Sequence, residues 1–241
     1  MVEFKNVSLT LGNKQILHDL SFKIEKGKIV VLSGNSGEGK STILKLILGL
    51  LKPTSGQIFI FGKDITRLRK KELMKIRQQC GIVFQSGALF DSLTVEENVS
   101  FFLTEALDVK PDEARHRTHE ILNYLGLIEY TDYYPSQLSG GMKKRVAIAR
   151  AIVTNPKLLL YDEPTAGLDA RSAFKVVELI RDLQKRLTVT SLIVSHELHY
   201  FTRLMDKILH LENGRITLEK ENNAELIALN EKMFLDYFSQ D

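Results

Sequence analysis

One segment of the chain has the residue types and spacing of a phosphate-binding loop, G-x-x-x-x-G-K-[ST]. Glycines let backbone N–H groups turn toward phosphate oxygens without a Cβ in the way, and a helix that follows adds its positive dipole end. Lys40 would reach the terminal phosphates and Ser41 would bind Mg²⁺. The alternative is an ordinary glycine-rich turn before a helix, which the complete spacing disfavours. The loop consists of Gly34, Asn35, Ser36, Gly37, Glu38, Gly39, Lys40, Ser41 and Thr42.

Two acids follow the apolar run Leu158 to Tyr161. A buried strand that ends in acids carries its carboxylates to the C-terminal edge of a parallel sheet, where open α/β folds bind ligands. Asp162 would hold Mg²⁺, directly or through water, and Glu163 would orient or deprotonate the attacking water. Alone, such a pair more often marks a strand that reaches solvent. Together with the phosphate loop, the pair favours a catalytic role.

A third candidate site begins with the segment LSGGM, residues 138–142, and continues with the bases KKR, residues 143–145. Bases in the first turn of a helix oppose the helix dipole, and a bound anion would remove that conflict. We therefore expect a second phosphate site, with Ser139 and the backbone N–H groups of Gly140 and Gly141 as donors. A basic, solvated helix end after a flexible turn explains the same residues about equally well. The residues do not tell whether this site serves its own chain's nucleotide or a partner's.

The apolar patterns predict the elements that must hold these residues. Alternation of strands and helices implies a parallel sheet with right-handed crossovers. The predicted strands are Val2–Thr10, Ile16–Ile24, Lys28–Ser33, Gln57–Ile60, Gly81–Phe84, Leu158–Tyr161 and Ser191–Val194. The predicted helices are Lys40–Leu50, Lys70–Gln79, Pro111–Leu125, Lys143–Val153 and Ala173–Leu187. The stretch from Val95 to Asn155 has few β-rich runs and predicts a helical insertion. Apolar spacing over Ala224–Phe238 predicts a terminal helix, docked on the chain's own core or offered to a second subunit.

Composition excludes several classes of protein. The 241 residues are 44% hydrophobic and 26% charged, which is typical of a folded globular domain and not of a disordered chain. A net charge of +3 is too small to favour nucleic acid as a partner. The lone Cys80 cannot form an internal disulfide, which fits a reducing compartment. No run approaches the roughly 20 apolar residues of a membrane span, and no secretory signal begins the chain, so a membrane role would require a partner.

Taken together, these motifs resemble those of the nucleotide-binding subunits of ABC transporters. Residues 34–42 resemble the Walker A loop, residues 158–162 the Walker B strand, and residues 138–142 the signature motif. Glu163 matches the catalytic glutamate of the family. Further matches are Gln85 in the Q-loop, Ala166 to Asp169 in the D-loop, and His196 as the switch histidine.

This resemblance implies an α/β fold with a P-loop NTPase (RecA-like) parallel-sheet core, an antiparallel β subdomain and a helical insertion. In a single ABC ATPase domain, residues 1–94 and 156–222 would form the β subdomain and core. Residues 95–155 would form the helical subdomain with the signature motif, and residues 223–241 a C-terminal helix or tail. The resemblance also implies ATP hydrolysis with ATP and Mg²⁺ as cofactors.

The family's dimer assigns roles to the remaining site residues. Two copies would meet head to tail, so that Ser139 acts on the partner's nucleotide, and Asp169 would join the nucleotide-binding residues. Gln85 would sense Mg²⁺ and the attacking water, and His196 would contact the γ-phosphate. Leu11 stands where many members have an aromatic residue that stacks on adenine, so base stacking would be weaker.

A subfamily is indicated by Met142, which replaces the usual Gln, and by the segment FQSGALF, residues 84–90. Both resemble the ATPases of Mla/Mce-type phospholipid transport systems, as does the tail segment 234–238. This resemblance implies transport of phospholipid between inner and outer membranes, with a transmembrane permease and lipid-binding partner proteins. The chain would then lie peripherally on the cytoplasmic side of the inner membrane. The alternatives are an ABC importer for another cargo (amino acid, metal, or lipoprotein release) and a non-transport ABC ATPase, such as one in iron–sulfur assembly.

A permease would dock through a coupling helix near Gln85 to Val99. Leu89, Phe90 and Leu93 are apolar residues on a predicted loop there. Simple packing between the core and the helical insertion explains each of them about as well.

Overall fold

The structure is a computed structural model that describes residues 1–223, so the predicted tail helix Ala224–Phe238 lies outside the described residues. The strands are β1 (Val2–Leu11), β2 (Lys14–Ile24), β3 (Ile29–Ser33), β4 (Ser55–Ile60), β5 (Lys63–Asp64), β6 (Cys80–Val83), β7 (Leu158–Asp162), β8 (Thr190–Val194), β9 (Lys207–Glu212) and β10 (Arg215–Glu221). The helices are α1 (Lys40–Ile47), α2 (Lys70–Arg77), α3 (Val95–Leu107), α4 (Pro111–Tyr124), α5 (Gly140–Ile152) and α6 (Ala170–Leu187).

These strands form two sheets within the described part of the chain. A four-stranded sheet has the order β2-β1-β4-β5, and all its pairs are antiparallel. A six-stranded sheet has the order β10-β9-β3-β8-β7-β6, and its pairs are parallel except for the edge strand β10. The predicted fold class is therefore confirmed, and the division into subdomains stays a prediction.

The parallel sheet is buried on both faces, which explains the continuous apolar runs of its strands. In β3, Val30 and Leu32 pack with the antiparallel sheet and α1, whereas Ile29 and Val31 pack with α5 and α6. A third apolar cluster joins α3, α4 and α5, the helices that the sequence between β6 and β7 supplies. Because β3 and β7 both end at the same edge of the sheet, the residues that follow them are brought together.

Two predicted helices begin three residues earlier than the apolar pattern indicated. Helix α5 begins at Gly140 after the cap Ser139, whose Oγ accepts a hydrogen bond from the Met142 N–H. Helix α6 begins at Ala170 after the cap Asp169, which accepts from the Ser172 N–H. In both cases a side-chain acceptor at the cap fixes the first turn, independently of where the apolar periodicity starts.

The hairpin of β9 and β10 has no counterpart among the predicted strands. Its turn is Asn213-Gly214, and both residues have positive φ, 49° and 70°. Within residues 1–223, no helix has the length and apolar character needed to cross a membrane.

Candidate functional site

The predicted phosphate loop lies between β3 and α1, at the C-terminal edge of the parallel sheet. Gly34 approaches β9 so closely that a Cβ on it would lie 2.3 Å from the carbonyl oxygen of Leu211. Gly39 caps α1 with φ 99° and no side-chain acceptor. The first turn of α1 also contains no acidic residue, so none of its own side chains competes for its N–H groups. This arrangement suits an anion.

Lys40 is buried inside the loop and is only 6% exposed. Its Nζ donates hydrogen bonds to the carbonyl oxygens of Gly34 at 2.7 Å and of Asn35 at 3.0 Å. The same nitrogen lies 3.7 Å from Oε1 of Glu163. A single ammonium group therefore joins the phosphate loop to the acid that follows β7.

Ser41 and Asp162 meet at the start of α1, where Ser41 Oγ donates to Asp162 Oδ1 at 2.8 Å. Burial raises the pKa of the Asp162 carboxyl, and the hydrogen bond from Ser41 acts in the opposite direction. A hydroxyl and a carboxylate are hard oxygen ligands of the kind that Mg²⁺ prefers. Residues 1–223 hold no cluster of three His, Cys, Asp or Glu side chains that could bind a metal alone. The pair fits Mg²⁺, which usually takes one or two protein oxygens and completes its shell with phosphate and water.

Glu163 and His196 form the second pair of the site. Glu163 is 8% exposed, and its Oε2 lies 2.9 Å from Nδ1 of His196 and accepts from the His196 backbone N–H at 3.3 Å. The backbone of Glu163 is in the left-handed region, with φ 48°. A residue with a Cβ is strained there, and such strain is common at functional sites. The His196 side chain remains 56% exposed and faces the cavity.

A cavity of about 590 Å³ collects most of the predicted site residues. Its lining residues are Leu11, Ile16, Asn35, Ser36, Gly37, Gly39, Lys40, Ser41, Thr42, Gln85, Glu163 and His196. Asp162 reaches this group through Ser41. Ile16 is an addition to the predicted set: with Leu11 it forms an aliphatic wall, and it had no motif by which the sequence could reveal it.

Ser139, Gly140, Gly141 and Asp169 do not line this cavity, and within the phosphate loop itself Gly34 and Glu38 are also absent from the lining. Ser139 and Gly140 are exposed at the start of α5. Gly140 and Gly141 lie near the D-loop and the start of α6, because a Cβ on Gly140 would be 3.6 Å from Leu168 and one on Gly141 would be 3.8 Å from Ser172. None of the three signature-motif residues lines the cavity beside the chain's own phosphate loop.

The electrostatic argument for the signature motif is wrong in its placement of the bases. Because α5 begins at Gly140, Lys144 and Arg145 occupy its second turn. Arg145 donates to the carbonyl oxygen of Leu125 at 3.0 Å, and Lys144 Nζ donates to those of Gln85 and Glu163. Two of the three bases thus bind protein carbonyls and do not crowd the helix N-terminus. Burial lowers the pKa of Lys144, an effect that the Asp162 and Glu163 carboxylates oppose.

A second, apolar groove of about 470 Å³ lies beside the loop that follows β6. Its lining residues are Leu48, Leu50, Met74, Arg77, Cys80, Gly81, Ile82, Phe84, Ala88, Phe90, Phe101, Phe102, Arg150, Ala151 and Thr154. Phe90 is 44% exposed and packs against Phe101 at a ring distance of 4.8 Å. Leu89 instead packs into two of the apolar clusters. Of the three apolar loop residues Leu89, Phe90 and Leu93, only Phe90 lines the groove.

Residues 17–166 match the model of the family described as ABC transporter. The chain therefore belongs to this family, and its fold and site define an ABC ATPase domain, whose ligands are ATP and Mg²⁺. This finding confirms the family predicted from the motifs.

The chain is also similar to ATP-binding proteins of amino acid transporters. The chain is 40% identical to the methionine import ATP-binding protein MetN of Carboxydothermus hydrogenoformans, over 91% of this chain and 66% of that protein. It is 38% identical to the glutamine transport ATP-binding protein GlnQ of Escherichia coli, over 95% of this chain and 94% of that protein. The chain thus spans slightly less than two thirds of the MetN relative.

Among solved structures, the chain resembles the ATP-binding cassette MJ0796 in a dimeric, post-hydrolysis state bound to ADP and Pi. The TM-score is 0.83 at 34% identity, over 93% of this chain and all of that chain. These relatives are not named as phospholipid transport ATPases, so the prediction of that subfamily stays unconfirmed.

Proposed function

We propose that the chain is the ATP-binding and ATP-hydrolysing subunit of an ABC importer with an amino acid as cargo. The observation that carries the ATPase assignment is one cavity in which Lys40, the Ser41–Asp162 pair and the Glu163–His196 pair meet. The names of the two relatives, a methionine and a glutamine transport protein, support the cargo class.

Each polar side chain of the cavity has a role that follows from its surroundings. Lys40 and the N–H groups of the phosphate loop neutralise and orient the terminal phosphates, because a buried ammonium is a strong partner for an anion. Bound Mg²⁺ would polarise the phosphoryl oxygens and neutralise developing charge. Ser41 and Asp162 would hold the ion, with Gln85, which also lines the cavity, as a further ligand.

Glu163 acts as the base that orients or deprotonates the attacking water. Its carboxylate is held on one side by Lys40 at 3.7 Å and on the other by His196 at 2.9 Å. Because neither oxygen rotates freely, the water would meet a fixed acceptor, which lowers the entropic part of the barrier. The His196 ring, which is largely exposed and lines the same cavity, would contact the γ-phosphate.

The working unit is a head-to-tail dimer of two copies. Ser139 and Gly140 are exposed and do not line the chain's own cavity, which supports a site completed by the partner's signature motif. The dimeric state of the MJ0796 cassette supports the same arrangement. Asp169, as the cap of α6 next to the signature helix, would stand at this interface.

A transmembrane permease is the second partner, and the apolar groove beside the loop after β6 is the surface it would use. The groove is lined by aromatic side chains and lies next to Gln85, which faces the ATP cavity. Docking there would connect cargo passage to hydrolysis and hold the chain peripherally on the cytoplasmic side of the membrane.

Phospholipid is the second candidate cargo, favoured by Met142 in the signature motif and by the segment 84–90. Lipid-binding partner proteins belong to this candidate only. The test reconstitutes the chain with its permease in proteoliposomes and measures ATP-dependent movement of labelled methionine, glutamine and phospholipid. Transport of an amino acid supports the proposal, whereas transport of phospholipid alone replaces it with the second candidate. In both cases Glu163→Gln should abolish transport, and hydrolysis by that variant at the normal rate would overturn the ATPase assignment.

A further inference from the structure

Lys144 is a buried charged residue that the roles above leave unused. It lies on α5 and is 6% exposed, although lysine is rarely buried without a partner. Its Nζ donates to the main-chain carbonyl oxygen of Gln85 and, at 3.4 Å, to that of Glu163. These acceptors belong to two different loops, one after β6 and one after β7. A single ammonium group therefore joins three segments of the chain at the edge of the ATP cavity.

The contact with Glu163 falls on a strained part of the backbone. With φ 48°, Glu163 adopts a conformation that a side-chain-bearing residue avoids unless its surroundings hold it. Its N–H donates to the carbonyl oxygen of Val194 at 2.9 Å, which fixes one end of the residue. The bond from Lys144 holds the other end, the carbonyl. The direction of the Glu163 carboxylate follows from this backbone, so Lys144 acts on it without touching it.

The contact with Gln85 is part of a wider attachment of the same loop to α5. Further along the same helix, Arg150 donates to the carbonyl oxygens of Gly87 at 2.7 Å and Ala88 at 2.8 Å. Helix α5 thus holds the loop after β6 at two points through side chains. Of these two side chains, Lys144 is the one that also reaches Glu163.

We propose that Lys144 is a positioning residue for ATP hydrolysis. Its two hydrogen bonds hold the backbones of Glu163 and Gln85 in a fixed position relative to each other. This inference rests on the proposed ATPase function and deepens it. Lys144 lines neither the cavity nor the groove, so its effect should fall on the chemical step and spare nucleotide binding.

The test compares Lys144→Met with Lys185→Met in the full-length chain, by steady-state ATPase kinetics. Methionine keeps much of the length of lysine but leaves the carbonyl groups of Gln85 and Glu163 without this donor. Lys185 serves as the control because it is an exposed lysine on α6. We expect kcat to fall about tenfold to a hundredfold in Lys144→Met, because small misplacements of catalytic groups cost this much. The KM for ATP should change less than about twofold. Lys185→Met should match the wild type, and Lys144→Arg, which keeps the donors, should recover part of the lost kcat.

A purely structural role would produce a different pattern. For every variant, we would measure the binding of a fluorescent ATP analogue and the midpoint temperature of thermal unfolding. If Lys144→Met does not fold, Lys144→Gln, which keeps one donor group, is tested by the same kinetics. A kcat equal to that of Lys185→Met in a folded variant would overturn the inference, as would loss of ATP binding in step with activity. Failure of the proposed function looks different, because the wild type and Lys185→Met would then hydrolyse no ATP either.

Discussion

Gly34 and Gly37 both belong to the phosphate loop, but only Gly34 lies too close to another strand to accept a Cβ. Both have positive φ, 149° and 87°, so alanine is strained at either position. A Cβ on Gly37 meets nothing within 4 Å, whereas one on Gly34 would lie 2.3 Å from the carbonyl oxygen of Leu211 and 3.3 Å from its carbonyl carbon. Leu211 is fully buried in β9, which pairs with β3, so this backbone cannot yield without disturbing the sheet.

The expected losses of stability follow from these distances. Gly37→Ala should lower the free energy of unfolding by about 1–2 kcal/mol, which is the cost of a Cβ in the left-handed region. Gly34→Ala carries a comparable backbone cost and in addition a steric cost of about 1–3 kcal/mol, as for overpacking in a dense interior. The difference between the variants is therefore about 1–3 kcal/mol.

Urea unfolding followed by circular dichroism, without nucleotide, measures this difference. With a slope of about 2 kcal/mol per molar urea, a difference of about 2 kcal/mol moves the midpoint by about 1 M. Gly37→Ala is the matched control, since it makes the same chemical change in the same loop. Equal midpoints for the two variants would refute the close approach of the phosphate loop to β9.

Three further predictions concern Leu11 in the aliphatic wall of the cavity, Ser139 in the signature motif, and Cys80. Leu11→Tyr should lower the KM for ATP roughly twofold to tenfold, because stacking adds about 0.5–1.5 kcal/mol; an unchanged KM for both ATP and GTP would show that the base does not lie against Leu11. Ser139→Arg should abolish hydrolysis while the monomer's affinity for ATP stays at the wild-type value, and retained hydrolysis would argue against action on a partner's nucleotide. Burial raises the pKa of the Cys80 thiol to about 12, so at pH 8 it stays protonated; a disulfide reagent should label it slowly in the native protein and rapidly in urea, and rapid native labelling would contradict this.

The catalytic edge of the sheet could be predicted because its signals are local. The phosphate loop and the Asp162–Glu163 pair each follow an apolar strand directly, and parallel strands end at a common edge. Gln85 and His196 carry no such signal. They entered only through resemblance, since a single glutamine or histidine is compatible with many structural roles. The structure brings both to the cavity through loops that no spacing rule connects.

The start of α5 could not be read from apolar periodicity. Glycine costs about 1 kcal/mol relative to alanine inside a helix, so Gly140 and Gly141 look like the end of a turn. The Ser139 cap, which accepts a hydrogen bond from the Met142 N–H, stabilises this first turn, and the helix begins three residues before the predicted start. Because of this earlier start, Lys144 lies in the second turn of α5 and not in the first.

The β9–β10 hairpin was missed for a different reason. Most of β10 is exposed, so this edge strand lacks the apolar alternation by which strands are recognised. Its turn carries the stronger signal, because Asn-Gly is the preferred pair for a two-residue hairpin with positive φ at both positions. Helix α3 also has no counterpart among the individually predicted helices, although Thr94 and Glu97 form a capping box that marks its start.

In the proposed mechanism, Glu163 promotes hydrolysis at a site shared by two copies of the chain. The most direct measurement is the mass of Glu163→Gln by size-exclusion chromatography with light scattering, with and without ATP and Mg²⁺. Binding without hydrolysis should trap a dimer of twice the 27.4 kDa chain mass, and only when both ATP and Mg²⁺ are present. A variant that stays monomeric while bound to ATP, or that hydrolyses ATP at the wild-type rate, would contradict the account.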